Sequence, residues 1–205
     1  MKQNTSHAVM AQRHEPGDSL DDFPTPPWAT RALLRHVLTD VDFHTSSCLE
    51  PACGRGYMAR PLAEKFNTVE AYDVHGYGFG GTRDFLTYPY ETNSHDWVIT
   101  NPPFRKAEQF LERALIVAQK GVAILARTVF LESVGRYNRI YQTSPPSVFA
   151  QFSERVPMVK GRVDPKASTA TGYAWFVWQK DSGKDPILTW VPPCRKKLEF
   201  DGDYN

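Results

Sequence analysis

The sequence predicts an α/β layered domain built on a mostly parallel sheet, and three observations predict it. Short apolar runs of strand type alternate with amphipathic runs of helical period between residues 29 and 126. Sharp turns rich in glycine or proline follow the first and third of these strands, where open α/β sheets place their ligands. A length of 205 residues suits one domain with a sizeable core.

Residues 1–20 are polar, contain Pro16 and Gly17, show no apolar period and read as a flexible arm. In Phe23-Pro24-Thr25-Pro26-Pro27-Trp28 the prolines exclude a helix interior, while Thr25 ahead of two prolines suits a helix start and cap. The spacing of Leu33, Leu34, Val37 and Leu38 predicts an amphipathic helix over 29–38. A strand at 47–49, a glycine turn and a helix over 58–65 come next, then a strand from Thr68 to Tyr72 that ends at Asp73. Gly76, Gly78, Gly80 and Gly81 form a loop before Asp84-Phe85, and 96–100 is the third strand. Phe110, Leu111, Ala114, Leu115 and Ala118 share a face, which predicts a helix over 106–119 stopped by Gly121. A buried-type strand is expected over 122–126, a helical segment within 129–141, and further strands at 148–152 and 174–178. The stretch 157–172 carries no clear element, and long irregular segments in compact domains are usually functional or disordered. No internal repeat is present.

Hydrophobic residues at 41% and charged residues at 23% place the chain among globular proteins and exclude disorder for most of it. No run approaches the roughly 20 apolar residues that cross a bilayer, and the polar start Met1-Lys2-Gln3-Asn4 lacks a signal peptide's apolar core, so a cytoplasmic location is expected. Cys48, Cys53 and Cys194 form no paired spacing and read as free thiols. His75 and His95 have no spaced metal partner, so no metal is expected. Twenty-four Lys plus Arg against 23 Asp plus Glu give a formal charge of +1, which leaves nucleic-acid binding to a local patch. Basic residues do cluster in the second half, at Arg127, Arg136, Arg139, Arg155, Lys160, Arg162, Lys166 and Arg195-Lys196-Lys197.

Two turns carry the chemistry. In Glu50-Pro51-Ala52-Cys53-Gly54-Arg55-Gly56 the two glycines let the backbone approach a ligand. Asp73, 17 residues after Gly56, stands near the spacing at which an acidic side chain binds ribose hydroxyls. The pair indicates a nucleoside-containing cofactor, and the missing third glycine disfavours NAD. In Asn101-Pro102-Pro103-Phe104 two prolines fix the backbone and remove two donors, leaving the Pro102 carbonyl as a rigid acceptor beside the Asn101 side chain. Such a turn suits an amino group, with Phe104 stacking on a flat ring.

These motifs resemble those of the class I S-adenosylmethionine-dependent methyltransferases, within them the DNA adenine-N6 group with the cofactor motif ahead of the catalytic one. Glu50 to Gly56 resembles the cofactor motif, and Asn101 to Phe104 resembles the catalytic (Asn/Asp/Ser)-Pro-Pro-(Tyr/Phe/Trp) motif. Phe23-Pro24-Thr25-Pro26 resembles the family's amino-terminal cofactor segment, and Asp84-Phe85 its acidic-hydrophobic pair at the cofactor's adenine. The resemblance implies a single Rossmann-like domain over 21–200, doubly wound, with a late antiparallel strand at 174–178 and a short tail at 201–205. It implies catalytic roles for Asn101, Pro102, Pro103 and Phe104. Cofactor contacts fall to Phe23, Thr25, Pro26, Glu50, Pro51, Ala52, Cys53, Gly54, Gly56, Asp73, Asp84, Phe85 and Asn101, and the implied partner is DNA with its target base flipped out. Two features depart from the family. Only about 80 residues follow Ala126, so any target-recognition region is small and lies within 127–172, and the glycine loop 76–81 replaces a helix. Arg127, Arg136, Arg139, Lys160, Arg162 and Lys166 are the expected DNA contacts. Ribosomal RNA bases and protein glutamine remain alternative substrates, and a binding module without catalysis is a third reading.

Overall fold

The computed structural model describes residues 21–182 and 185–204; the arm expected over 1–20 lies outside them. Eight strands form one sheet in the order β3-β2-β1-β4-β5-β7-β6-β8. The strands are β1 (Ser47–Glu50), β2 (Thr68–Asp73), β3 (Gly81–Thr82), β4 (His95–Thr100), β5 (Ala118–Arg127), β6 (Val148–Phe152), β7 (Tyr173–Gln179) and β8 (Ile187–Val191). All neighbours run parallel except β7, which is antiparallel to β5 and to β6. The expected α/β domain with a late antiparallel strand is therefore the observed one.

Alternation along the strands fills two cores. Trp97, Ile99, Ala123, Leu125, Trp175 and Val177 face α1 (Pro27–His36) and α2 (Ala59–Ala63), which meet them through Trp28, Leu33 and Leu62. Val98, Val122, Ile124, Ala126 and Phe176 face α3 (Ala107–Val117) through Phe110, Leu111 and Ala114. Helices thus cover both faces, as a parallel sheet requires. Trp175 is fully buried, and its indole N–H donates to the Ala29 carbonyl at 3.1 Å, locking β7 to α1.

Several boundaries differ from expectation for definite reasons. Thr25 does not cap α1: Pro26 holds the cap position without a side-chain bond, and the Thr25 hydroxyl is buried with no hydrogen-bond partner among the described residues. Gly121 does not stop a helix. α3 ends at Val117, the chain enters β5 directly at Ala118, and Gly121 lies inside that strand. A Cβ there would sit 2.6 Å from Trp97 Cζ3 and 2.9 Å from the Trp178 carbonyl oxygen, so glycine is demanded by close approach. Gly121→Ala is expected to destabilise the fold by about 1–3 kcal/mol through overpacking, read as a lower urea midpoint; an unchanged midpoint would contradict that packing. Residues 128–141 form a 3-10 turn, the short α4 (Val134–Arg136) and one π turn in place of a continuous helix.

Beyond β8, α5 (Arg195–Leu198) takes up the basic run, and Asp201–Tyr204 form a 3-10 turn. The segment read as a tail is docked as far as Tyr204. Arg31, on α1, donates to Asp203 at 2.7 and 2.8 Å, to Glu64 on both oxygens and to the Leu198 carbonyl. These carboxylates hold its guanidinium charged against the cost of burial.

Candidate active site

The sheet's carboxyl edge gathers the ends of β1, β2 and β4, and with them both motif turns. Gly54 and Gly56 have φ of +50° and +83°, which L side chains adopt with strain. At Gly56 a Cβ would also lie 2.6 Å from the Phe79 ring, so the loop 74–80 is closed down on the glycine turn. That loop is too short for the usual helical crossover of a dozen or more residues. It serves because β3 pairs with the very end of β2, Tyr72 with Gly81 and Asp73 with Thr82.

Asp73 is nearly buried at the end of β2 and grips this turn. Its Oδ2 accepts the Gly54 N–H at 2.9 Å and its Oδ1 accepts the His75 N–H at 3.0 Å. Each oxygen keeps a lone pair for a further donor. Glu50 ends β1 and is fully buried; its Oε1 accepts the Thr100 hydroxyl at 2.8 Å and the Ala52 N–H at 3.1 Å. Pro51 and Cys53 are buried behind it, and Ala52 is half-buried.

Burial pushes the Glu50 carboxyl up to about 8, more than its two hydrogen bonds lower it. The folded chain therefore holds an extra proton between about 4.5 and about 8. The stability carried by protonated Glu50 is complete below that window and is lost as pH rises through it. Melting curves of the unliganded protein at both ends of the window test this. Glu50→Gln, which keeps the acceptor for Thr100 and Ala52, is expected to lose less stability towards alkaline pH than the parent; parallel losses would count against it.

Asn101, at the end of β4, is the best-defined group in the site. Its Nδ2 donates to the Phe23 carbonyl at 2.9 Å, which settles the amide's orientation, because only the nitrogen can donate to a carbonyl. The other atom, Oδ1, is buried without a hydrogen-bond partner among the described residues. A buried acceptor left unpaired costs about 1–3 kcal/mol, and a donor brought by a ligand would satisfy it. Pro102 is buried and Pro103 half-buried, and Pro103 hands the chain to a 3-10 turn that begins at Phe104.

The segment 21–26 straps both turns together. Asp21 accepts the Phe104 N–H at 2.5 Å, Asp22 pairs with Arg55 of the glycine turn at 2.7 Å, and the Asp22 carbonyl accepts the Gly161 N–H at 2.8 Å. Phe23 packs on Phe104 with ring centroids 5.3 Å apart, and the Arg127 guanidinium lies 4.6 Å from the Phe104 centroid. Thr25 and Pro26 are buried beside them. The sequence reading missed Asp21, Asp22 and Thr100; the acidic pair directly before Phe23 was the available signal.

Other expected site residues are placed less centrally. Asp84 turns the chain by accepting the Leu86 N–H at 2.9 Å, while the Phe85 ring is 2% exposed and packs on Phe110, so its side chain belongs to the core. Arg136 and Arg139 both pair with Glu108, and Arg136 also donates to the carbonyls of Val129, Phe130 and Glu132. Glu108 thus pairs with both charges, Arg136 half-buried and Arg139 still 57% exposed. Val159 and Arg162 instead bridge into a tight turn, with Lys160 and Arg162 exposed at its tip, Arg162 within 3.3 Å of Asp164, and Lys166 exposed beyond. Among the described residues no cluster of three His, Cys, Asp or Glu could hold a metal, the three cysteines are free and buried, and no helix is long and apolar enough to cross a membrane.

No protein-family model matches the chain, and no curated protein does. Solved structures match in fold. A protein from Listeria monocytogenes assigned to the class I S-adenosylmethionine-dependent methyltransferases shares the architecture over 89% of this chain and 69% of its own, with a TM-score of 0.58 at 12% identity. The methyltransferase subunit of a type I restriction-modification system from Streptococcus thermophilus matches over 90% of this chain and 50% of its own, with a TM-score of 0.65 at 9% identity. A modification subunit assigned to a type I restriction enzyme from Vibrio vulnificus matches over 95% and 53%, with a TM-score of 0.60 at 16% identity. The chain thus spans about half the length of the two restriction-modification subunits. Its fold is the Rossmann-like one of class I methyltransferases.

Proposed function

We propose that this chain transfers a methyl group from S-adenosylmethionine to the exocyclic N6 amino group of adenine in DNA. The observation that carries the reading is Asn101: an amide pinned by the Phe23 carbonyl, with its own oxygen buried and unpaired at the carboxyl edge of the sheet. The residues present also fit the cofactor. The unpaired Thr25 hydroxyl, the glycine turn with its positive φ angles, and Asp73 with spare lone pairs stand together around one edge. Glu50, Pro51, Ala52 and Cys53 would form the wall of that site, with Asp84 and the backbone at Phe85 toward the adenine end. When bound, S-adenosylmethionine supplies an electrophilic methyl group on a sulfonium.

Everything else falls to the chain. Asn101 Oδ1 and the Pro102 carbonyl accept the two amino hydrogens of the target, which orients the nitrogen lone pair toward the methyl. Pro103 keeps that turn rigid, and Phe104 stacks on the base. Holding nitrogen and carbon at near-attack distance supplies much of the acceleration. The target nitrogen would take up the methyl carbon, the bound cofactor leaving as the neutral thioether, and the proton that the amino group loses would pass to solvent. Reaching this position requires the base to leave its stack, and Arg127 must move off the Phe104 ring to admit it. Arg127, Lys160, Arg162 and Lys166 would grip phosphates; Arg136 and Arg139, held by Glu108, are left out of this interface. The fold's likeness to the methyltransferase subunit of a restriction-modification system supports DNA as the substrate.

The test supplies cofactor labelled on its methyl group together with unmethylated DNA, RNA and protein extract in parallel. Label in DNA is expected. Label in RNA or in glutamine would overturn the substrate, and none in any substrate would overturn the activity.

A further inference from the structure

Arg155 lines a cleft that the mechanism above leaves unused. The cleft has a volume of about 200 Å³ and is lined by Gln151, Ser153, Glu154, Arg155 and Gly172, with Tyr173 and Phe152 below. It opens where β6 ends and β7 begins, on the same edge of the sheet as the two motif turns. Register fixes its distance from the site: Arg127 pairs with Tyr173, and Ala174 pairs with Gln151. The cleft floor is therefore one strand spacing at Tyr173 and two at Phe152, about 5–10 Å, from the strand end that carries Arg127 over the Phe104 ring.

Most polar groups around the cleft are already committed. Gln151 Nε2 donates to the Phe152 carbonyl at 2.9 Å, Ser153 Oγ donates to the Val191 carbonyl at 2.6 Å, and Glu154 Oε1 accepts the N–H groups of Cys194 and Arg195 at 2.8 and 2.6 Å. Arg155 is exposed and has no ion pair or hydrogen bond among the described residues. One edge of its guanidinium stands over Gly172, where a Cβ would come within 3.3 Å of Nη1. A planar fork of donors with no partner, on the rim of a polar cleft, matches a phosphate group. Glu154 is the acidic group nearest in sequence; it makes no ion pair with Arg155 among the described residues, and its Oε1 is taken up by two backbone N–H groups at the start of α5.

Resting on the DNA reading above, we infer that this cleft is a subsite for the nucleotide adjoining the target adenine, with Arg155 binding that nucleotide's phosphate. A strand entering the site lays its target base on Phe104 and its neighbour across Arg127 into the cleft. The subsite selects a polynucleotide over a lone nucleoside, which has no adjoining phosphate to offer.

The experiment measures binding of a short single-stranded oligodeoxynucleotide, one adenine per strand, to the parent and to Arg155→Gln across a salt series, with cofactor present. Arg155→Gln is expected to weaken binding about tenfold at low salt and to shrink the slope of log affinity against log salt by about 0.7, the loss of one phosphate contact on a single strand. Cofactor affinity is expected to stay unchanged. Replacing the two phosphates that flank the adenine, one at a time, by an uncharged methylphosphonate is expected at one of the two positions to weaken the parent and leave Arg155→Gln unaffected, a coupling that a purely structural role would not produce. An unchanged slope, or equal effects of the methylphosphonate on both proteins at both positions, would overturn the subsite while leaving the DNA reading standing. A parent that neither binds nor methylates the strand would overturn both.

Discussion

Asn101→Ala is expected to lower the rate of methyl transfer by at least about 10²–10³-fold, the usual cost of removing one preorganised polar group from a reacting centre. Cofactor affinity is expected to stay within about threefold of the parent. The two parts follow from one geometry. Among the described residues the Asn101 amide makes a single hydrogen bond, from Nδ2 to the Phe23 carbonyl, and its Oδ1 makes none. Truncation removes the hydrogen bond to the Phe23 carbonyl and the acceptor for the target amino group, so its effect on the reaction concentrates on the reacting nitrogen. Single-turnover kinetics and cofactor titration separate the two. Turnover retained at the parental rate would remove Asn101 from the reaction.

Asp73→Ala acts on the other substrate. Its carboxylate accepts from Gly54 and His75 and so sets the shape of the glycine turn. Losing charge-assisted hydrogen bonds worth about 1.5–3 kcal/mol is expected to weaken cofactor binding roughly ten- to a hundredfold. At saturating cofactor most of the turnover rate is expected to return, because Asp73 touches neither Asn101 nor Phe104. Asp73→Asn, which keeps an acceptor for Gly54, is expected to fall between the two. Cofactor binding unchanged in Asp73→Ala would detach this residue from the cofactor site.

Much of the architecture was legible because its signals are local. The layered, mostly parallel architecture follows from alternation of strand and helix, and the turns after β1 and β4 announce themselves by Gly54, Gly56 and two prolines. What stayed hidden depends on partners far along the chain. Gly121 reads as a helix stop until Trp97 is seen lying against it, 24 residues earlier in sequence. β3 has two residues, too few for a period, and β8 is an edge strand that exposes Ile187, Leu188 and Trp190, so its apolar residues follow no core-facing alternation. Charge was visible and its commitment was not: Arg136 and Arg139 looked like candidate contacts for DNA, but Glu108, about 30 residues away, holds both. Asn101 could be named from its tetrapeptide alone, whereas the Phe23 carbonyl that orients it appears only once the segment 21–26 is seen to strap the two turns.

The most direct measurement digests DNA after incubation with the protein and labelled S-adenosylmethionine and identifies the labelled nucleoside by mass spectrometry, with the Asn101→Ala protein in parallel. The account predicts N6-methyldeoxyadenosine from the parent and only background from the variant. Label on another base, or equal label from both proteins, would contradict it.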